Sequence, residues 1–91
     1  MSKPISFTSK FKKHYLQRIL TNKNLLKQTE KRIKLFYENS QNPILHSHIL
    51  KGKKNRLKAF SISGDYRIIY EEFSDHYRFL DIGRHNQVYG T

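Results

Sequence analysis

Apolar side chains recur at helical spacing in the first part of the chain and shorten to an alternating period after residue 56. Phe11, Tyr15 and Ile19 repeat every four residues, as a buried helical stripe does, until Thr21, Asn22 and Asn24 interrupt them. A β-prone stretch, residues 4–8, precedes this helix, and Ser9 can accept hydrogen bonds from its free N–H groups if it starts at Lys10. Leu25, Leu26, Thr29, Ile33, Phe36 and Tyr37 form a second stripe, with Lys27, Glu30, Lys31 and Lys34 mostly on the remaining circumference. Asn42-Pro43 disfavours helical backbone before the proline, so this helix ends within residues 39–43. The short connection between the two predicts an antiparallel helical hairpin.

Rising β-branched and aromatic content then predicts strands at 57–62, 66–72 and 77–82, joined by turns at Ser63-Gly64-Asp65 and Ser74-Asp75. Phe60 and Ile62 must share the buried face with Tyr66, Ile68 and Tyr70. A three-residue loop centred on Gly64 satisfies that parity, whereas a two-residue turn needs a compensating bulge. Arg67 and Ile69 then lie on the other face beside Ser61 and Ala59, a face expected to carry polar groups into solvent. The prediction is one α+β domain over residues 1–91, an N-terminal strand and two-helix hairpin packed on one face of a small, mainly antiparallel sheet.

Composition narrows the partners. With 91 residues the chain supports one core, and 36% hydrophobic with 13% aromatic content is enough for it to fold despite a net charge of +11. Eighteen Lys and Arg against seven Asp and Glu favour a polyanionic partner: nucleic acid, an acidic membrane or an acidic protein. The absence of Cys excludes disulfides, thiolate metal sites and thiol catalysis, and agrees with a reducing compartment. The N-terminus lacks the ~7–15 apolar residues of a secretory signal, and no window approaches the ~20 that span a bilayer. A cytoplasmic protein without a membrane partner is expected.

Basic residues crowd around Gly52, where Lys51, Lys53, Lys54 and Arg56 are followed by Lys58. Such a run is either a solvated loop or a strip for phosphates, each of which releases condensed counterions when neutralised. It adjoins His46 and His48, which alternate on extended backbone, point oppositely and would not both reach one site. His14 and His76 read as surface residues. No ligand spacing typical of a metal site occurs, nor a Gly-x-Ser-x-Gly elbow or phosphate-binding Gly-rich loop, so neither metal nor small-molecule cofactor is expected. What remains is His, Asp, Arg and Tyr chemistry, which suffices for RNA, because the 2′-hydroxyl is a nucleophile already held beside its phosphate. Imidazole can take or give the protons, and guanidinium can hold the phosphorane oxygens.

Three segments carry a resemblance: His48-Ile-Leu-Lys-Gly52, then Phe60-Ser-Ile-Ser-Gly-Asp-Tyr-Arg-Ile-Ile-Tyr70, then Asp81-Ile-Gly-Arg-His-Asn-Gln-Val-Tyr89. Together they resemble the RelE superfamily of bacterial toxins, and within it the YafQ-like branch. The resemblance implies a toxin that enters the ribosomal A site, cuts the mRNA there and is neutralised by a cognate antitoxin. By the same resemblance His48 matches an acid/base candidate, Asp65 belongs to the branch's catalytic set, and Tyr66 stands where that branch has Trp. His85 and Tyr89 match the terminal His and aromatic, Arg67 matches the strand Arg used on the scissile phosphate, and Arg84 matches a further basic position. Ser61 stands where the branch has another catalytic His, and Asp81 where it has an Arg, departures that bear on turnover.

The expected catalytic set is therefore His48, Asp65, Arg67, His85 and Tyr89, with Lys51, Lys53, Lys54, Arg56, Lys58, Tyr66 and Arg84 contacting RNA. His48 and His85 would share the proton transfers, Asp65 would orient a proton carrier or act as base, Tyr89 would aid placement and Arg67 would hold the phosphate. Each residue also has a structural reading: Asp65 favouring the turn, Tyr66 and Tyr89 as core or rim aromatics, Arg67 paired with Glu71 or Asp81. Two other functions stay open, a ParE-like gyrase poison and an inactive binder of RNA or ribosomes.

Overall fold

A computed structural model of the chain describes residues 3–50 and 57–89. Strand β1 (Ile5–Phe7) leads into helix α1 (Ser9–His14), which runs on as a π-helical turn, Tyr15–Ile19. The cap is Thr8 and not Ser9: its hydroxyl accepts from the Phe11 N–H at 3.0 Å and donates to the Leu80 carbonyl at 2.9 Å. Asn22 caps α2 (Lys23–Glu38) by accepting from the Leu25 N–H. A 3₁₀ turn at Pro43–Leu45 precedes β2 (His48–Ile49), β3 (Leu57–Ser63), β4 (Tyr66–Glu72), β5 (Tyr77–Arg84) and a short helix α3 (His85–Tyr89). The sheet order is β1-β5-β4-β3-β2, with β1 parallel to β5 and the other pairs antiparallel. The α+β architecture is the one expected; β2, the 3₁₀ turn and α3 are too short to leave a period in the sequence. Among the described residues no helix is long and apolar enough to cross a membrane.

Aromatic rings fill the space between α2 and the sheet. Phe36 stacks on Phe60 with centroids 4.7 Å apart and meets Tyr70 and Tyr77 edge-on, in the offset and T-shaped arrangements that ring quadrupoles favour. Phe11 and Ile19 carry the α1 side of this core, as their spacing predicts, and Leu25, Thr29 and Phe36 carry the α2 side. Tyr37 departs from the expected stripe and stays half-exposed, since the residue after Phe36 is turned away by about 100° along a helix of 3.6 residues per turn.

The β3–β4 hairpin takes the second of the two solutions to its parity. Ser61 pairs with Arg67 and Ser63 with Tyr66, so the loop is the two residues Gly64-Asp65 and a bulge at Ile62 restores the alternation. Gly64 occupies the turn with φ +52°, a conformation glycine adopts without steric cost. Arg67 and Ile69 do lie beside Ser61 and Ala59 on the second face, but that face is not simply solvated. Ala59 and Ile69 are buried, and Leu50, Leu57, Leu80, Val88 and Tyr89 gather around Ile69 where α3 turns back toward the sheet.

Asp81 and His14 change most from the sequence reading. His14 Nδ1 donates to Asp81 Oδ1 at 2.5 Å, and the two side chains are only 16% and 10% exposed. His14 is thus no surface residue. The same carboxylate accepts from the Ile82 N–H, with Arg18 at 3.7 Å and Lys10 at 3.8 Å. It ties α1 and the π turn to the centre of β5. Arg18 also donates to the Ile82 carbonyl and, with Gln87, encloses Gly83: a Cβ there would lie 2.6 Å from Arg18 Nη1 and 2.7 Å from Gln87 Oε1. Gln87 Oε1 accepts from the Arg84 N–H, closing the corner from β5 into α3. His76 does remain at its turn, bonded to Asp75.

Candidate nucleic-acid interface

The site starts at the end of the 3₁₀ turn. Asn42 accepts from the Ile44 N–H, Pro43 occupies the first turn, and His46 takes a left-handed conformation, φ +51°. That reversal brings His46 and His48 to one hollow, where extended backbone would have pointed them apart. His48 Nδ1 donates to the His46 carbonyl at 3.0 Å, which fixes the ring and leaves Nε2 for a proton in transit.

This hollow has a volume of about 540 Å³ and is lined by His46, His48, Ser61, Arg67 and Arg32, with Ile44 and the hairpin turn at its edge. Arg67 Nη1 donates to the carbonyls of Gly64 at 2.8 Å and Tyr66 at 3.0 Å, and not to Glu71 or Asp81. Arg32 Nη1 spans the carbonyls of Ile44 and Ser61, both at 3.1 Å. Among the described residues no carboxylate pairs with either guanidinium. Backbone carbonyls orient these cations without neutralising them, so the hollow suits an anion. Arg32 escaped the sequence reading as one more charge on α2; its position three residues after Thr29 and four before Phe36 is the available signal.

Tyr89 extends the cluster. Its hydroxyl is buried with no hydrogen-bond partner among the described residues; burial pushes its pKa up while nearby Arg67 draws it part of the way back. The Tyr89 ring meets His85 edge-on at 4.2 Å, and the exposed His85 is held at the head of α3 by its N–H donating to the Asp65 carbonyl at 2.9 Å. Tyr89 thus packs on His85 within electrostatic reach of Arg67, which lines the His48 hollow.

Asp65 and Tyr66 face elsewhere. Across the turn lies a second hollow of about 550 Å³, lined by Asn22, Asn24, Leu25, Gln28, Ser63, Gly64, Asp65 and Tyr66. Arg84 joins it, its Nε donating to the Tyr66 hydroxyl at 3.3 Å and its guanidinium 5.7 Å from the ring centroid. That hydrogen bond raises the Arg84 pKa above its ordinary value. Lys58 is a correction. It pairs across the sheet with Tyr70, on the face opposite Arg67, and its ammonium binds Glu72 at 2.9 Å, so it is taken up in an ion pair and lies off the cationic hollow. Lys51, Lys53, Lys54 and Arg56 lie outside the described residues. Among the described residues no three His, Asp or Glu side chains converge as a metal site requires.

No protein-family model matches the chain, and no curated protein does either. Solved structures do. YafQ and a YoeB/ParE toxin share its fold, the fold that the resemblance carried by the motifs implies. A mutant of YafQ from E. coli superposes with a TM-score of 0.81 at 17% identity, covering 97% of this chain and 99% of that one. YafQ in the E. coli DinJ-YafQ toxin-antitoxin complex gives 0.78 at 18% identity over 99% and 100% of the two chains. A YoeB/ParE toxin from Agrobacterium tumefaciens gives 0.74 at 13% identity over 90% and 98%.

Proposed function

We propose that the chain is the toxin of a type II toxin-antitoxin pair and a ribosome-dependent endoribonuclease that cuts mRNA in the A site. The observation that supports this reading best is the His48 hollow, where two guanidiniums and two imidazoles gather with no carboxylate among the described residues, on a fold shared with toxins. A ribose-phosphate link is the matching occupant, with one non-bridging oxygen pair on Arg67. One histidine of the pair His48 and His85 takes the 2′ proton as the 2′ oxygen attacks phosphorus. The other gives a proton to the departing 5′ oxygen, leaving a 2′,3′-cyclic phosphate and a 5′-hydroxyl. Arg67 and Arg32 stabilise the charge that gathers on the phosphorane. Tyr89 keeps His85 and Arg67 in register, and Asp65 acts by orienting His85 through its backbone carbonyl.

Neutralisation is expected from an acidic antitoxin segment laid over the same cations. Sequencing transcript 5′ ends after a short pulse of expression tests the activity. Cuts within translated codons that vanish with His85→Ala are expected; DNA damage with intact transcripts would instead favour gyrase poisoning, and salt-sensitive ribosome binding without cuts would favour an inactive binder.

A further inference from the structure

Arg67 and Tyr66 are neighbours on β4 and therefore point to opposite faces of the hairpin, one into each hollow. Ser63 and Gly64 line both, so a single turn separates them. The crest between is unobstructed, since a Cβ on Gly64 would meet nothing within 4 Å. The linings differ in chemistry. The first hollow is cationic, whereas the second contains the Asp65 carboxylate and the amides of Asn22, Asn24 and Gln28, a set that disfavours phosphate. Asn24 and Gln28 stand four residues apart on α2, hence on one side of it, and both are exposed. Each amide offers a donor and an acceptor, and Tyr66 with Arg84 supplies two flat, polarisable groups.

We infer that this second hollow binds an unpaired nucleobase of the RNA whose phosphate lies against Arg67. The base stacks on the Tyr66 and Arg84 platform, and Asn24 and Gln28 hydrogen-bond its edge, the mode by which single-stranded bases are read. Asp65 accepts from a ring or exocyclic N–H. The inference rests on the ribonuclease reading and deepens it: the first hollow accepts any phosphate, and the second selects the position of the cut.

The test uses a short single-stranded RNA with a 2′-deoxy linkage at the cut and 2-aminopurine beside it. Wild-type protein quenches the fluorescence on binding, and Asn24→Ala/Gln28→Ala, changed only at exposed positions, binds about tenfold more weakly or worse. An abasic strand binds both proteins equally. In sequenced transcripts the same double variant still cuts, with a broader choice of flanking base. Absence of quenching by the wild type, or a double variant indistinguishable from it in both assays, would overturn the base site. His85→Ala should retain the quench, so loss of cutting with intact base binding reports on the catalytic reading alone.

Discussion

Asp81 and Arg67 lie on the same face of the sheet, two residues apart in register along paired strands, yet their surroundings are opposites. Around Asp81, His14, Lys10 and Arg18 converge on one carboxylate and are held by it. Around Arg67, His46, His48 and Arg32 converge with no carboxylate among the described residues. Both are clusters of basic side chains on a chain of net charge +11. The first is closed and structural. The second is oriented by backbone carbonyls and kept open, so its compensating charge has to come from another molecule.

That contrast can be broken experimentally, beginning with the largest effect. His48→Ala and His85→Ala should each lower mRNA cleavage by about 10²–10⁴-fold while shifting stability by no more than ~0.5 kcal/mol. An in vitro translation cleavage assay beside urea unfolding measures both, and a large loss of stability with retained cutting would reverse the assignment. Asp81→Ala should do the opposite, removing about 2–3 kcal/mol because His14 loses its hydrogen-bond acceptor and Arg18 and Lys10 lose a buried counter-charge. The urea midpoint should fall at unchanged slope, whereas an unshifted midpoint would mean that the cluster does not hold α1 to β5.

Salt provides a milder separation. With about three phosphates neutralised, RNA affinity should fall roughly tenfold between about 50 and 200 mM salt. The unfolding free energy should move by less than ~0.5 kcal/mol, since the Asp81 carboxylate, His14 and Arg18 are mostly covered and only Lys10 of that cluster is exposed to counterions. The smallest effect belongs to Glu72, whose carboxyl is held below its usual pKa by hydrogen bonds from Lys58 and then Lys3. Its contribution is present above the unfolded value of about 4.3 and lost as pH falls through the lower folded value. Lys58, raised in turn by Glu72, loses its share only as pH rises above about 10.4 toward the folded value. In this partly exposed setting the pair contributes ~0.5–1 kcal/mol, and Glu72→Gln should flatten the acid limb of stability against pH.

Helices, strands and their faces were legible because each depends on a period longer than the uncertainty at its ends: Phe11 to Ile19, Leu25 to Phe36, Phe60 to Tyr70. The hairpin needed one more fact, the bulge at Ile62, which parity allowed without requiring. Individual side chains were harder. His46 joins His48 because a single left-handed residue reverses the backbone, and Lys58 leaves the site because strand alternation sends it toward Glu72. Tyr66 and Arg67 fall on a strand that alternation predicts, whereas His48, His85 and Tyr89 lie on elements too short to leave a period. A histidine claimed by a distant aspartate, as His14 is, reads in sequence like one left available, because His14 and Asp81, 67 positions apart, meet only in the folded chain.

The parallel pairing of β1 with β5 also governs the order of assembly. Ile5 pairs in register with Tyr77, whose N–H donates to the Pro4 carbonyl, and the Thr8 hydroxyl donates to the carbonyl of Leu80, 72 residues further on. A strand made first must wait, unpaired, for one made nearly last, and contacts so remote in the chain form slowly. Until then α1 has neither its edge of the sheet nor Asp81 to rest on. A nascent molecule is accordingly unfinished for most of its own translation and can close its sheet only when β5 emerges.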